Sequence, residues 1–502
     1  MKKTLCFIVS MGAFLLMGAE EIIFMRNFDK AEQVKPYMKS GAVFAQPEEA
    51  LNDGKGAIKF HADDFMTKTA RIVLPLDKIR GKAIQLEADM RAVDLKKSTP
   101  EWLGPKLMLH WVSPHGVGHA EQPKIWGSHD WKHFSIYMRI PRNATGAFII
   151  LGLQKGKGTI YIRNVKIIAV PDDGFKGLLP HKGRKKEFKT QYRGMMTPFL
   201  LKEQDVIDFA EKFNGNLFRY QMTRGQSDLT TEAQYNAWLD EHIRNIDKLM
   251  PLFRKYGIKI VLDVHTGPGM PQDKLLRNII RWEPEVQDIL VRAWEKLARH
   301  FKGNPVIYGY DLLNEPREDN YIYRPGNGLD WNRLAARIAT AIRKIDPETP
   351  IIIEPFLWAS PSALSCFSPV DLPNIIYSIH FYQPATYSHQ AQGKYPSGTF
   401  NKEWLRKQLQ VAREFQLTYN VPIFVGEFSC IRWADGAADY LRDCISIFEE
   451  YGWDWTYHAF REYTGWSVEH DGPRTAPEKV EHTDRMQVLL DFYKNNKRSV
   501  LK

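Results

Sequence analysis

The sequence predicts two domains, an N-terminal β-sandwich of jelly-roll type and a C-terminal (β/α)8 barrel. A chain of 502 residues is longer than one ordinary domain. From about Glu20 to Val170 short alternating or apolar runs recur between turn signals, without a long helical period. After Lys189 the pattern becomes strand, helix, strand, helix, which is typical of a barrel or a doubly wound sheet. Eight strand candidates, and no glycine-rich phosphate loop after an early strand, favour the barrel.

Residues 1–19 are predicted to be a secretory signal peptide. Lys2 and Lys3 precede an apolar run, and Gly18-Ala19 follows it. We therefore expect the protein to be secreted or periplasmic. The apolar run is shorter than the roughly 20 residues that a spanning helix needs, and no later stretch is long enough. Stable membrane insertion is not expected.

Residues 20–170 are predicted to form the β-sandwich. The strand candidates are Ala57–His61, Thr69–Leu74, Ala83–Met90, Lys106–Trp111, His133–Arg139, Ala147–Leu153 and Thr159–Ile168. Turn signals such as Lys155-Gly-Lys-Gly158 separate them. The closing run from Gly158 to Ile167 resembles the last strand of carbohydrate-binding modules. Trp102, Trp111, Trp126 and Trp131 are candidates for a sugar-stacking platform, and core packing explains each of them equally well.

Residues 171–189 are predicted to be a basic linker, rich in Gly, Pro and Lys. The formal net charge is +10, and the linker carries the densest basic run. No nucleic-acid docking module accompanies that run, so we expect no nucleic-acid partner. An anionic polysaccharide stays open as a substrate. The three cysteines after the signal, Cys366, Cys430 and Cys444, are expected to be buried thiols, with a Cys430–Cys444 disulfide as the alternative.

Residues 190–502 are predicted to form the barrel. The strand candidates are Tyr192–Thr197, Leu217–Met222, Ile258–His265, Val306–Leu313, Ile351–Glu354, Ile375–Tyr382, Ile423–Glu427 and Trp453–Ala459. The helix candidates are Lys202–Phe213, Glu232–Tyr256, Pro284–Phe301, Trp331–Ile345, Lys402–Phe415, Gly436–Tyr451 and Arg485–Asn495. The helix before Ile375 is poorly defined by pattern.

Polar side chains follow the ends of the predicted strands, where barrel active sites lie. In chain order they are Arg219, His265, Asn314, Glu315, His380, Tyr382, Glu427 and the region from Trp455 to His458. Each residue alone has a structural explanation, such as a hydrogen-bonded histidine. Together, at one level of one barrel, they indicate a catalytic site. Asp263 is two residues before His265 and is expected to face the helices, so no role is assigned to it.

These motifs resemble those of glycoside hydrolase family 5, a cellulase-type family of retaining barrels. The resemblance rests on Arg219, Asp263-Val-His265, Asn314-Glu-Pro316, His380-Phe-Tyr382 and Gly426-Glu427, in that order. It implies that Glu315 is the acid/base and Glu427 the nucleophile of a double displacement. It also implies that Arg219, His265, Asn314, His380 and Tyr382 bind substrate or orient the carboxylates.

The eighth strand departs from the pattern of this family, which usually carries a substrate-stacking tryptophan there. A simple register places His458 at that position, and Trp455 or Trp466 are alternatives for the indole. All three are predicted to bind substrate. We expect a monomer that acts on polysaccharide or oligosaccharide, with β-glucan or β-mannan favoured, and that needs no cofactor or metal. The alternative is a non-catalytic carbohydrate-binding protein on a degenerate barrel.

Overall fold

The structure is a computed structural model. It describes residues 21–501 except residues 52–53, 101, 115, 123–124, 171–176, 226, 270–283 and 317–330. The predicted signal peptide lies outside the described residues. The chain divides into two compact units: one runs to Leu109 and adds Gln122–Met138 and Ala147–Pro171, and the other holds His110–Glu121, Arg139–Gly146 and the chain from Asp172 onward.

The N-terminal part of the described chain is a network of eight hydrogen-bonded strands. They are β1 (Ile22–Arg26), β2 (Ala42–Ala45), β3 (Ala57–Val73), β4 (Ala83–Lys96), β5 (Gly104–Ser113), β6 (Gly116–Glu121), β7 (Gly127–Arg139) and β8 (Gly146–Ala169). The order along the main path is β2-β3-β8-β4-β7, with β1 and β5 also pairing β8 and β6 pairing β5. Short helical turns occur at Ala31–Val34, Lys35–Ser40, Pro47–Ala50 and Leu76–Ile79. The description of this unit as a sandwich stays a prediction.

The predicted strand boundaries in this region are wrong at two places. Four predicted strands form two long ones. The candidates Ala57–His61 and Thr69–Leu74 both belong to β3, and β8 continues through Lys155-Gly-Lys-Gly158, which the sequence suggests as a turn. Gly152 and Gly158 have φ values of +130° and +117°, and a Cβ there would lie 2.2 Å from the carbonyl oxygen of Lys68 and 2.6 Å from that of Asp94. These glycines therefore permit close approach of neighbouring strands inside a sheet and do not end a strand. Strands β1, β2 and β6 were not predicted.

The prediction of a (β/α)8 barrel is confirmed. Eight parallel strands close in the order β9 to β16. They are β9 (Arg193–Met196), β10 (Leu217–Met222), β11 (Lys259–Val264), β12 (Ile307–Asp311), β13 (Ile351–Ile353), β14 (Ile375–Phe381), β15 (Ile423–Phe428) and β16 (Asp454–Tyr457). A two-stranded hairpin, β17 (His470–Asp471) and β18 (Glu478–Lys479), follows β16.

Helices flank the barrel where the sequence predicts them. They are α1 (Glu203–Glu211), α2 (Glu232–Tyr256), α3 (Pro284–Phe301), α4 (Trp331–Ile345), α5 (Lys402–Tyr419), α6 (Ala437–Tyr451) and α7 (Asp484–Tyr493). Between β13 and β14 the described chain forms a 3₁₀ turn at Pro361–Ser365, which explains the weak helical pattern there, and Ala385–Ser388 is a single helical turn. In the part of the chain that the structure describes, none of the helices combines the length and the apolar character of a membrane span.

Apolar side chains fill the lower interior of the barrel. Leu217, Val261, Ile352, Ile376 and Phe424 form this layer. The same strands send their alternate side chains outward against the helices. The interior is therefore closed below, and the polar residues at the carboxyl ends of the strands form the floor of the barrel mouth. Cys366, Cys430 and Cys444 are free and buried, as expected.

Candidate active site

Two glutamates lie close together at the barrel mouth. Glu315 follows β12 and Glu427 lies near the end of β15. A carboxylate oxygen of each, together with a ring nitrogen of His380, lies within 4.8 Å of the others. The two carboxyl groups of retaining glycosidases lie about 5–5.5 Å apart, whereas inverting enzymes have a wider gap. The pair thus has the spacing of a nucleophile and an acid/base on one glycosidic bond.

A β-bulge turns Glu427 into the barrel. Phe424 faces the interior and Val425 faces the helices, so strict alternation would send residue 427 outward. The pairings of β15 shift register between Ile379 and His380 on one side and between Val425 and Phe428 on the other. Bulges of this kind re-aim side chains near active sites. At the bulge, a Cβ on Gly426 would lie 2.7 Å from the hydroxyl oxygen of Ser378, which explains why glycine stands there.

Glu427 is held as a carboxylate. Nη1 of Arg219 donates to its Oε1 at 2.7 Å, and the hydroxyl of Tyr382 donates to its Oε2 at 2.8 Å. Burial by itself would raise the pKa of Glu427, but the charges of His380, His458, Arg219 and His265 outweigh burial and lower it. Glu427 is therefore ionised at neutral pH and has one oxygen beside each donor.

Arg219 is the centre of a buried charge network. Its Nε donates to Asp311 at 2.9 Å, and its Nη2 donates to Glu354 at 2.8 Å. Nη2 also lies 3.2 Å from Oδ1 of Asp263, and the side chains of Arg219 and of these three acids are fully buried. The expectation that Asp263 faces the helices is wrong. Asp263 is two residues before His265, so both side chains lie on the same face of the strand and point into the barrel.

His265 and Asn314 continue this network. Nδ1 of His265 lies 2.7 Å from Oδ2 of Asp263, and its Nε2 lies 3.2 Å from Nδ2 of Asn314. Oδ1 of Asn314 accepts from Nη2 of Arg219 at 3.0 Å. The side chain of Asn314 is thus fixed from two sides, next to Glu315.

Glu315 is more accessible than Glu427. Its side chain is 26% exposed, against 6% for Glu427. Its backbone adopts the left-handed region, with φ of 46°, and its N–H donates to Oε2 of Glu354 at 2.6 Å. Oε1 of Glu315 lies 3.0 Å from Nδ1 of His380. A partly exposed carboxyl on a fixed backbone can exchange protons with solvent while keeping its position.

One predicted substrate-binding residue, Trp455, lies elsewhere. Its side chain is fully buried on the outer face of β16, stacks on Tyr493 of α7 with ring centroids 5.5 Å apart, and donates its indole N–H to Glu449 of α6. The prediction of Trp455 in the substrate site is therefore wrong. Because His458 is three residues further on, strand alternation already places the two on opposite faces.

His458 and Trp466 do lie at the mouth. Nε2 of His458 lies 2.8 Å from Oε2 of Glu462. The half-buried indole of Trp466 has its centroid 5.6 Å from that of His458 and 6.0 Å from that of Tyr382. Burial lowers the pKa of His458, but Glu462 and Glu427 outweigh it and raise it. An imidazole whose protonated form is favoured by two carboxylates thus lies beside the indole at this edge of the site.

The residues that sequence reasoning missed are carboxylates that act on other side chains. Asp311 and Glu354 contact Arg219, and Glu462 contacts His458. The position along the strands was an available signal, because Asp311 is the last residue of β12 and Glu354 directly follows β13. Nothing in the local sequence indicates which arginine or histidine they meet.

The donor atoms of Glu315, His380 and Glu427 are close enough to hold a metal ion. Burial by itself lowers the pKa of His380, but the charges of Glu354 and Glu427 raise it well above its ordinary value. A protonated imidazole has no lone pair to offer a metal. The group therefore fits a proton-handling site better than a metal site.

Comparisons with known proteins find one matching family and several similar proteins. Residues 183–464 match the family described as Cellulase (glycosyl hydrolase family 5), which is more than half of the chain. Endoglucanase C of Acetivibrio thermocellus is 28% identical over 269 residues, covering 46% of this chain and 76% of that protein. A beta-xylosidase of Phanerodontia chrysosporium is 30% identical over 194 residues, covering 38% of this chain and 39% of that protein. The structure of Thermotoga maritima Cel5A in complex with cellobiose gives a TM-score of 0.48 at 21% identity, covering 60% of this chain and 97% of that one.

Proposed function

Since the chain belongs to glycosyl hydrolase family 5 and is an O-glycosyl hydrolase that cleaves β-glycosidic bonds, we propose that it cleaves β-glucans with retention of anomeric configuration. The observation that carries the mechanism is the pair of carboxylate oxygens of Glu315 and Glu427 within 4.8 Å. The substrate class follows the name of the matched relative, Endoglucanase C. The non-catalytic alternative loses its basis, because family membership and both carboxylates are present.

In the first step, an oxygen of Glu427 attacks the anomeric carbon and forms an ester bond. The bond from that carbon to the leaving oxygen breaks, and the proton of Glu315 moves to the leaving oxygen. Arg219 and Tyr382 hold Glu427 in position for the attack, since each donates to a different oxygen. The fixed amide of Asn314 is placed for a hydrogen bond to the 2-hydroxyl, which strengthens as charge develops on the sugar.

In the second step, water attacks the same carbon and gives a proton to Glu315. The ester bond breaks, and Glu427 leaves as a carboxylate with its original partners. Two inversions give net retention. Proton NMR of the first product from an oligosaccharide tests this directly: the β-anomer is expected first, and initial α-anomer would overturn the proposal.

Replacing Glu315 with alanine is expected to lower kcat about 10²–10⁴-fold on substrates whose leaving group needs a proton. On a 2,4-dinitrophenyl glycoside, whose phenol leaves unprotonated, the first step is expected to stay fast, so a burst of dinitrophenol precedes slow turnover. Stopped-flow absorbance measures both phases. An equal loss in bond cleavage on both substrates would contradict the acid/base role.

Prolonged treatment with EDTA is expected to leave kcat/KM unchanged, because a protonated His380 disfavours a metal at the carboxylates. Initial rates before and after dialysis against the chelator measure this. A loss that Mn²⁺ or Zn²⁺ restores would show instead that a resident metal takes part.

For the N-terminal unit we propose a β-sandwich that binds glycan in the manner of a carbohydrate-binding module. Trp102 supports this best, because it is 58% exposed, whereas Trp111 is 9% exposed and Trp126 and Trp131 are half-buried. Affinity electrophoresis in β-glucan gels is expected to retard the full chain with Glu427→Ala and to retard it less when Trp102→Ala is added. Equal mobility of the two would contradict the platform. We also propose that residues 1–19 direct export, that residues 171–189 form a basic linker and that the protein is a monomer.

A further inference from the structure

Glu354 contacts the site from below without reaching its surface. It directly follows β13 and is fully buried. Its Oε1 accepts from Nη2 of Arg219 at 2.8 Å and lies 3.1 Å from Nε2 of His380. Its Oε2 accepts the backbone N–H of Glu315 at 2.6 Å. The carboxylate of Glu354 thus contacts Arg219, His380 and the backbone of Glu315.

Glu354 holds Glu315 at both ends. At the main chain, Glu315 has a left-handed φ of 46°, which a residue with a side chain keeps only when its surroundings fix it. The N–H bond to Glu354 is such a constraint. At the carboxyl end, His380 lies between Glu354 and Oε1 of Glu315, with one ring nitrogen near each. Moving Glu354 would release both ends together.

We propose that Glu354 is the positioning residue of the acid/base, keeping the carboxyl of Glu315 at the leaving oxygen. The inference rests on the proposed role of Glu315. It concerns a fully buried residue that positions Glu315 directly and through His380, in addition to its contact with Arg219.

The charge of Glu354 supports this role. Burial alone would lower the pKa of His380, and Glu354 is the leading charge that raises it, followed by Glu427. A protonated His380 has an Nδ1–H that faces both glutamates, 3.0 Å from Glu315 and 3.6 Å from Glu427. Loss of the charge on Glu354 would therefore also weaken the hydrogen bond that orients the acid.

Asp311 offers a matched control. It is fully buried and accepts from Nε of Arg219 at 2.9 Å, as Glu354 accepts from Nη2 of the same side chain. Among the described residues, Asp311 forms no hydrogen bond or ion pair with Glu315 or His380. Burial and the nearby charge of Glu354 raise the pKa of Asp311. Asp311→Asn keeps the size of the side chain and an oxygen that can accept from Arg219. A general disturbance of Arg219 would appear in both variants, whereas misplacement of the acid would appear in one.

The experiment compares Glu354→Gln, Glu354→Asp, Asp311→Asn and Glu315→Ala on two aryl β-cellobiosides. In the 2,4-dinitrophenyl substrate the phenol leaves without a proton, and in the phenyl substrate it needs one. For Glu354→Gln, the rate of bond cleavage is expected to fall about 100-fold or more on the phenyl substrate and less than about 10-fold on the other, approaching the selectivity of Glu315→Ala. Asp311→Asn is expected to change both rates by one common factor.

Equal losses on the two substrates in Glu354→Gln would overturn the inference. If that variant does not fold, as its melting temperature would show, Glu354→Asp decides. Glu354→Asp keeps the charge but shortens the side chain by one methylene. The inference then requires that bond cleavage again falls more on the phenyl substrate than on the 2,4-dinitrophenyl substrate, by a smaller ratio than in Glu354→Gln. If Glu315→Ala itself shows no selectivity, the proposed function fails first. If Glu315→Ala loses more activity on the phenyl substrate and neither Glu354 variant does, only the inference about Glu354 fails.

Discussion

Glu427→Ala is expected to lower kcat on the order of 10⁴-fold or more, the largest loss of any single substitution in this chain. Without the carboxylate there is no attacking oxygen and no covalent intermediate, and the remaining groups only bind and protonate. Steady-state rates on an aryl β-cellobioside measure the loss. KM is expected to change far less than kcat, because Glu427 acts mainly in the transition state.

Azide gives this prediction its internal check. The alanine leaves room for a small anion beside Arg219 and Tyr382, the two groups that held the carboxylate. Azide is expected to restore bond cleavage and to give the α-glycosyl azide, since one displacement inverts the anomeric carbon. Glu449→Ala is the control: that glutamate pairs with Arg193 away from the mouth, so its loss is expected to leave kcat nearly unchanged. A Glu427→Ala variant within about 10-fold of wild type would refute the nucleophile assignment.

Arg219→Met is expected to lower the free energy of unfolding by about 3–5 kcal/mol. Methionine has a similar length but no charge, so Glu354 and Glu427 would remain as buried carboxylates without their guanidinium. Breaking a buried ion pair from one side costs far more than replacing both partners, because the remaining charge is desolvated and unpaired. Urea denaturation followed by tryptophan fluorescence measures the shift in midpoint, provided that the slope is unchanged.

The pH dependence of this loss has a definite sign. In the folded protein the pKa values of Glu354 and Glu427 are both lowered, against the opposing effect of burial, by His380 and by other charges that include Arg219. Their contribution to stability is therefore complete above the unfolded glutamate pKa of about 4.3 and is lost as the pH falls through the folded values. The difference between wild type and Arg219→Met is expected to shrink at acidic pH.

Arg193→Met provides the matched comparison for Arg219→Met. Arg193 is also buried, but it pairs with one carboxylate, Glu449, whose side chain is 21% exposed and can be hydrated when the pair is broken. Its loss is expected to cost less than that of Arg219 and to vary less with pH. A pH-independent difference below about 1 kcal/mol for Arg219→Met would mean that the buried carboxylates are neutral in the folded state.

The order and type of the barrel elements follow from local patterns. Each strand candidate was a short apolar run and each helix had its own period, so eight strands and seven flanking helices were found with ends off by a few residues. Asn314-Glu-Pro316 fixed one strand end, because proline cannot continue a central strand. In the N-terminal unit the same reasoning failed at Lys155-Gly-Lys-Gly158, where Gly158 permits close contact between strands of the sheet and does not form a turn.

Strand parity explains two of the errors in the site. Asp263 shares a face with His265, and Trp455 lies on the face opposite to His458, so strict alternation along each strand would have predicted both positions correctly. Glu427 shows the opposite case. Alternation from Phe424 would turn it outward, and only the bulge at Gly426 turns it inward. A bulge depends on both neighbouring strands, so one strand's sequence does not reveal it.

By itself, the sequence determined the barrel, the level at which the polar residues lie and the two glutamates, since these depend on neighbours along the chain. The tertiary structure alone decided which groups meet: Arg219 with acids from four other strands, and Glu354 with the backbone of Glu315. Those contacts join residues far apart in the chain. Their existence depends on barrel closure and register, and the closed barrel also removes the water that would otherwise screen the charges.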